Sequence, residues 1–175
     1  DRIAFNVIAS SRGADAANYG FDELMEHGLR YDRMEEFIKV CRLLWDSVAP
    51  DAFVWDRESG VVVDDPSKVH AIDHVGKFFK VRGPLNCMPS PQRHPVLIQA
   101  GSSPRGIKAS AYISDAVFAR WPPKAEKAKH RALLDQELAA IGRDASKVGV
   151  LWGCGLIVSE TKHEAEARRE QLLKR

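Results

Sequence analysis

The sequence predicts an α/β fold in which parallel strands alternate with helices. Two observations support this prediction: apolar β-prone runs alternate with stretches of helical periodicity after residue 95, and capping residues stand between them. Four such strands fit either a doubly wound sheet or about half of a (β/α)8 TIM barrel, whose usual length of roughly 250 residues exceeds the 175 present. We favour an internal part of one barrel domain over residues 1–175, because residue 1 is Asp rather than Met and the last residues are mid-helix in character with no C-terminal glycine stop.

The first predicted elements are a strand and a long helix. Residues 3–8 form a continuous β-prone run, typical of a strand buried on both faces. Asn6 interrupts this run, and a buried amide must form hydrogen bonds or cost on the order of 1–3 kcal/mol. The clearest helix covers residues 34–45, where apolar residues recur with the helical period, and Pro50 is expected to stop it.

Residues 51–95 interrupt the alternation of strands and helices. Turn residues are frequent in this segment, and short β-prone pieces occur at residues 60–63 and 77–81. We therefore expect an insertion that contains a hairpin and does not form a separate domain.

The alternation is regular after the insertion. The predicted elements are a strand at 96–100, a helix at 104–113, a strand at 116–119, a helix at 123–141, a strand at 148–158 and a final helix. Gly142 suits the C-terminal cap of the fourth of these elements. Thr161, with Glu164 three residues later, forms a capping-box pattern that opens the final helix.

Composition limits the classes of function. With 26 basic and 24 acidic side chains, the net charge of +2 gives no electrostatic reason to expect nucleic-acid or membrane binding. The three cysteines are odd in number and widely separated, which favours free thiols in a reducing compartment and hence the cytoplasm. No run approaches the roughly 18 apolar residues of a membrane span.

The motif VLIQAGSSPRG at residues 96–106 carries the sharpest local chemistry. A glycine turn after a strand, two hydroxyls and a proline at the first helical position leave unpaired amides that suit a phosphate. Ser103 is also an ordinary N-cap residue, and caps are far commoner than anion sites. A position at the carboxyl end of a barrel strand would favour the phosphate.

Other candidate residues are a histidine and tyrosine pair and several basic side chains. His27 and Tyr31 lie four residues apart, so on a helix both rings would project from one face and could hold one ligand; the alternative is a surface histidine with a half-buried tyrosine. The basic residues at 124–131 are interpreted as a solvated helix face. His70 and His74 have zinc-like spacing but no third ligand nearby, so no metal site is expected.

Several segments in order resemble the bacterial luciferase-like flavin monooxygenases, within them the branch that contains nitrilotriacetate and dibenzothiophene-sulfone monooxygenases. The segments are FNVIAS, RYDRMEEFIKVCRLLWDS, KVHAIDHVGKFFKVRGPLN, QAGSSPRG and SDAVFA. The resemblance implies a (β/α)8 barrel that binds reduced FMN at the carboxyl ends of its strands. It also implies a two-component monooxygenase that inserts one oxygen atom of O2 into a small organic substrate through a C4a-hydroperoxyflavin. A separate NAD(P)H-dependent reductase would supply the reduced flavin.

The resemblance assigns roles to five residues. Ser102 and Ser103 match positions that bind the FMN phosphate, His27 and Tyr31 match residues that contact the flavin, and Asn6 matches an asparagine beside the isoalloxazine ring. His27 is the candidate catalytic residue, which would form a hydrogen bond to the flavin or its peroxide, because a neutral imidazole can donate or accept a hydrogen bond near pH 7. A homo-oligomer is expected, with the insertion over the barrel mouth shaping substrate entry and dimer contacts.

Two rival functions stay open at this stage. One is a deazaflavin-dependent dehydrogenase on the same barrel, which would transfer hydride without consuming oxygen. The other is a non-catalytic flavin-binding protein or an incomplete barrel that assembles with another chain. The resemblance also implies that the early strands and the C-terminal part of the barrel are missing from residues 1–175. Because a chain without the early strands cannot close an eight-stranded barrel, this chain by itself is expected to be inactive.

Overall fold

A computed structural model describes residues 2–120 and 123–174 of the chain. The helices are Gly13–Ala17 (α1), His27–Asp46 (α2), Pro104–Ile113 (α3), Lys124–Ala140 (α4) and Lys162–Leu173 (α5). The strands are Ala4–Val7 (β1), His74–Val75 (β2), Lys80–Val81 (β3), Val96–Ala100 (β4), Ala116–Arg120 (β5) and Gly149–Gly153 (β6). Short 3-10 helices cover Pro66–Lys68 and Ala145–Lys147.

The principal sheet has four strands in the order β1-β4-β5-β6. Each neighbouring pair is parallel, and one row across the sheet consists of Asn6, Ile98, Ala116 and Gly149. The predicted parallel α/β architecture is therefore confirmed. Within the described residues the sheet stays open and forms no closed barrel.

The prediction that β1 is buried on both faces is wrong. Val7 is only 3% exposed and Phe5 packs against the same core, but Ala4 and Asn6 on the opposite face are exposed. On β1 this face is therefore accessible to solvent among the described residues. The Asn6 amide is therefore not forced to find a protein partner here, and the expected burial cost does not arise.

Two apolar cores hold the helices on the sheet, and α3 belongs to both. The first core joins β1, α2, β4 and α3 through Val7, Tyr31, Met34, Ile38, Leu97, Ala109 and Ile113. The second joins α3, α4 and β5 through Ile107, Ala111, Val117, Leu134, Leu138 and Val148. Because α3 has buried residues toward both neighbouring helices, packing fixes its position from two sides.

The C-terminal end of α3 is stabilised by buried polar contacts. Arg42 and Arg143 donate to three carbonyls at this end, over 2.6 to 3.0 Å. These bonds satisfy carbonyls that a helix terminus otherwise leaves unpaired. The Asp115 carboxylate accepts from the Leu97 amide at 2.8 Å and so ties β5 to β4. The SDAVF motif thus has a structural role at the amino ends of the strands.

The helix predicted at residues 34–45 begins seven residues earlier, at His27. Its start is fixed by Glu26, whose carboxylate accepts from the Leu29 amide at 2.9 Å. It ends at Asp46, before Pro50 is reached. The buried Ser47 follows, and its hydroxyl donates to the Leu44 carbonyl at 2.6 Å.

The predicted ends of the later elements are mostly confirmed. Gly142 follows α4 with a φ of +70°, the left-handed conformation expected of a glycine after a helix. Thr161 and Glu164 form the predicted capping box at α5. However, β6 ends at Gly153 and does not reach residue 158. The described helices contain no segment long and apolar enough to cross a membrane. Cys41, Cys87 and Cys154 are free thiols.

The predicted hairpin is present, but it consists of β2 and β3, and residues 60–63 form no strand. A carboxylate of α2 holds this hairpin: Glu36 accepts from the amides of Phe78 and Phe79 and contacts His74 Nε2, each over 3.0 Å. Burial raises the pKa of the Glu36 carboxyl, but these hydrogen bonds outweigh burial and leave its pKa below the ordinary value.

The expectation that residues 51–95 lie over the barrel mouth stays a prediction, because the described residues form an open sheet and no closed barrel. The mouth is the side where strands end and helices begin, and α2 begins there at His27. The contacts of the insertion lie further along α2, at Glu36 and at Ser47, whose hydroxyl accepts from the Leu85 amide at 2.9 Å. These hydrogen bonds hold the insertion against the side of α2, toward the C-terminal end of that helix.

Glu36→Gln is expected to loosen the hairpin, because the amide group carries no charge to hold two backbone amides and His74. The protection of the Phe78 and Phe79 amides against hydrogen exchange should fall. Since the folded pKa of Glu36 is lowered, the wild-type carboxylate stabilises the hairpin above its ordinary pKa, and this stabilisation is lost as pH falls through the lower folded value. Glu160→Gln, an exposed site, is the matched control; equal protection in both variants would contradict the assignment.

Candidate functional site

The N-terminal ends of α2 and α3 lie side by side at the carboxyl edge of the sheet. His27 and Tyr31 project from the same face of α2, with ring centroids 5.1 Å apart in an edge-to-face arrangement. This confirms the predicted geometry of the pair. Tyr31 is only 7% exposed, while His27 stays exposed.

Two hydroxyls converge on the first turn of α3. A Cβ built on Gly106 would lie 3.0 Å from Tyr31 Oη and 3.2 Å from Ser103 Oγ, so both oxygens lie over the same backbone position. Only glycine permits this close approach without displacing them. Tyr31 Oη makes no hydrogen bond within residues 2–120 and 123–174, although its side chain is more than nine-tenths buried.

The start of α3 leaves several donors available. Ser103 is the N-cap, and its Oγ accepts from the Gly106 amide at 3.0 Å, which confirms the capping prediction and leaves the hydroxyl proton free to donate. Pro104 has no amide proton, and the amides of Ser102, Ser103 and Arg105 donate to no described residue. Amides and hydroxyls at a helix N-terminus form an arrangement that suits an anion.

A buried amide side chain supports the turn that precedes these serines. Gln99 is fully buried; its Oε1 accepts from the Ser110 hydroxyl and its Nε2 donates to the Ala100 carbonyl at 2.9 Å. A Cβ on Gly101 would lie 2.8 Å from Gln99 Nε2. The turn therefore packs directly on Gln99. Sequence reasoning missed this residue, although a polar residue within an apolar strand was a usable signal.

Arg105 was also missed from the sequence, and it joins α3 to α2. Its Nη1 lies 2.6 Å from Glu35 Oε1 and its Nη2 lies 2.8 Å from Asp32 Oδ1. The guanidinium carbon is 5.2 Å from the centroid of the Tyr31 ring. The bond to Glu35 raises the pKa of Arg105 above its ordinary value. No local pattern could identify partners that are 70 and 73 residues away in the sequence.

The interpretation of residues 124–131 as a solvated helix face is wrong in part. Both ring nitrogens of His130 are shielded from solvent, and the ring packs edge-on against Trp152 with centroids 5.5 Å apart. Burial lowers the pKa of His130. Arg131 donates to the carbonyls of Ala145 and Val148 at 2.6 Å each, so it ties α4 to the start of β6.

Asn6 lies apart from the cluster of His27, Tyr31 and Ser103. It lines an apolar cavity of about 650 Å³ on the side of β1 away from β4, together with α2 residues such as Met34 and Phe37. The structure therefore brings three of the five predicted site residues together directly. Ser102 is exposed beside them, and Asn6 occupies a separate position at the sheet.

Comparison with known proteins shows which family the chain is similar to. The family profile for luciferase-like monooxygenases matches residues 1–175. A dibenzothiophene-sulfone monooxygenase of Rhodococcus erythropolis is 37% identical over 171 residues, which cover 98% of this chain and 38% of that protein. Nitrilotriacetate monooxygenase component A of Aminobacter aminovorans is 40% identical over 169 residues, which cover 97% of this chain and 37% of that protein.

Solved structures of monooxygenases are also similar to this chain. The crystal structure of a long-chain alkane monooxygenase is 35% identical with a TM-score of 0.88, covering 98% of this chain and 40% of that one. An F420-dependent secondary alcohol dehydrogenase, 18% identical with a TM-score of 0.61, shares the fold alone. This chain thus spans about two fifths of the length of these monooxygenases. From the profile match and these identities, the chain belongs to the luciferase-like monooxygenase family.

Proposed function

We propose that the natural protein is a flavin-dependent monooxygenase and that this chain supplies the binding site for the FMN phosphate. Relatives 37% and 40% identical to this chain are monooxygenases by name, which supports the reaction class. The observation that carries the site is the convergence of Tyr31 Oη and Ser103 Oγ on Gly106, at a helix start with free amides.

The residues present fit a phosphate dianion. Ser102 and Ser103 offer backbone amides and hydroxyl protons, and Tyr31 offers an unpaired hydroxyl. The partial positive charge of a helix N-terminus favours an anion by about 0.3–1 kcal/mol at exposed sites. We assign Asn6, at the sheet itself, to the isoalloxazine ring.

Reduced FMN, when bound, supplies the two electrons with which one oxygen atom of O2 enters a small organic substrate and the other leaves as water. The role of this chain is to bind and orient the flavin and to exclude water. His27 is the proposed catalytic residue, because its imidazole lies at the first turn of α2 in contact with Tyr31 and can hold or donate a proton there.

We further propose that a separate NAD(P)H-dependent reductase delivers the reduced flavin and that the protein forms a homo-oligomer. One relative is named component A of nitrilotriacetate monooxygenase, and the name of another describes one subunit of pristinamycin IIA synthase; both names support action together with a second protein. Gel filtration coupled to light scattering tests the oligomer, and transfer of reduced FMN from an added reductase tests the supply.

His27→Ala is expected to uncouple oxygen consumption from oxygenation by about tenfold or more, because a positioned proton donor or acceptor is lost. The natural protein is mixed with reduced FMN and air-saturated buffer, with dibenzothiophene sulfone and nitrilotriacetate tried as substrates, and O2 uptake, H2O2 release and product are measured. His163→Ala, an exposed histidine on α5, is the matched control.

The same measurement separates the rival functions. Wild-type coupling in His27→Ala would remove His27 from the mechanism. O2 uptake no faster than that of free reduced FMN, with hydride transfer from a reduced deazaflavin, would support the dehydrogenase. Binding of FMN without any turnover would support the non-catalytic protein.

A further inference from the structure

Arg105 stands at the second position of α3, within the turn that we propose as the phosphate site, yet its charge is directed elsewhere. Both terminal nitrogens are engaged by carboxylates of α2, over 2.6 Å to Glu35 and 2.8 Å to Asp32. The Arg105 and Glu35 side chains are about three-quarters buried. A guanidinium held in this way by two acceptors is not available as a direct phosphate ligand.

The ion pairs of Arg105 with Asp32 and Glu35 lie next to the proposed phosphate site. The guanidinium lies over the ring of Tyr31, 5.2 Å from its centroid. Asp32 follows Tyr31 in sequence, and Glu35 lies one helical turn further along α2. Both carboxylates therefore lie beside a side chain whose hydroxyl reaches the start of α3. Without a positive partner, these two negative charges would repel a phosphate dianion at the start of α3. Partial burial of the carboxylates weakens the screening of this repulsion by solvent.

We propose that Arg105 is a positioning residue whose charge cancels those of Asp32 and Glu35, so that a phosphate can bind at the start of α3. This inference rests on the proposed function. The planar guanidinium of Arg105 can bind two carboxylates and pack on an aromatic ring at the same time, which a lysine cannot reproduce. The Arg105 side chain thus acts on the flavin through charge balance and without touching it.

The test compares the affinities of the natural protein for reduced FMN and reduced riboflavin, by equilibrium titration without oxygen. Riboflavin lacks the phosphate, so the ratio of the two affinities isolates the phosphate contribution. Arg105→Gln is expected to weaken FMN binding about tenfold or more and to leave riboflavin binding within about twofold. The triple variant Arg105→Gln, Asp32→Asn, Glu35→Gln is expected to recover most of the FMN preference, because no unpaired carboxylate remains.

Lys108→Gln is the matched control, since it removes one positive charge from an exposed position of the same helix. If the wild-type protein binds FMN no more tightly than riboflavin, the proposed phosphate site itself fails. If the wild type prefers FMN and Arg105→Gln keeps that preference, the role of Arg105 is overturned and the phosphate site stands. If Arg105→Gln does not fold, the triple variant decides, and a triple variant that folds without FMN preference overturns the charge-balance role.

Discussion

Ser103→Asp is expected to lower the affinity of the natural protein for reduced FMN about a hundredfold or more while leaving its stability unchanged. Aspartate caps a helix as well as serine does, so α3 keeps the hydrogen bond that Ser103 Oγ now accepts from the Gly106 amide. The new carboxylate would stand where the phosphate is proposed to bind, and two like charges at about 4 Å repel by roughly 4 kcal/mol at an effective dielectric constant of 20.

Three comparisons make this prediction specific. Thr161→Asp changes the N-cap of α5 in the same way, far along the chain from the site, and should leave FMN affinity unchanged. The double variant Ser102→Ala, Ser103→Ala should weaken FMN binding at least about tenfold, or 1.4 kcal/mol, and also cost about 1 kcal/mol of helix capping. Riboflavin binding should change little. A folded Ser103→Asp variant with wild-type FMN affinity would remove the phosphate from this helix.

Gly101→Ala is expected to destabilise the protein by about 1–3 kcal/mol. The same substitution is expected to weaken FMN binding. The added Cβ would lie 2.8 Å from Gln99 Nε2 and 3.2 Å from the Gly106 Cα. Gln99 cannot withdraw, because it is fully buried and both ends of its amide are hydrogen-bonded. The backbone of the turn must shift instead, and the serines that follow shift with it.

The matched control is Gly155→Ala, where a Cβ would meet nothing within 4 Å and the backbone has no left-handed conformation. Urea denaturation gives the free energy of unfolding of both variants, and titration gives the affinity for reduced FMN. Equal unfolding free energies would mean that the contact between Gly101 and Gln99 does not constrain the turn.

The parts of the structure that sequence patterns predicted are those that local chemistry determines. The strand at 96–100, the helix that follows it and the cap at Ser103 depend on residues within a few positions of one another, and all three are confirmed. The edge-to-face contact of His27 and Tyr31 follows from a spacing of four on a helix.

The parts that the sequence did not predict depend on distant partners or on the number of layers that cover a residue. Arg105 finds Glu35 across 70 positions, and Glu36 finds the Phe78 amide across 42. Neither pairing leaves a periodic signal. Asn6 lies in a run whose composition is typical of a buried strand, but burial of its face depends on what packs there, and Asn6 is exposed among the described residues.

The double packing of α3 has a consequence for the energetics of ligand binding. Its two flanks lie in two cores and its last carbonyls are held by Arg42 and Arg143, so the donors at its start are preorganised before any ligand arrives. A preorganised site loses little conformational entropy on binding. Affinity should therefore respond mainly to charge at the helix start. Substitutions in either core, although remote from the ligand, should change its affinity by tilting α3 as one rigid helix.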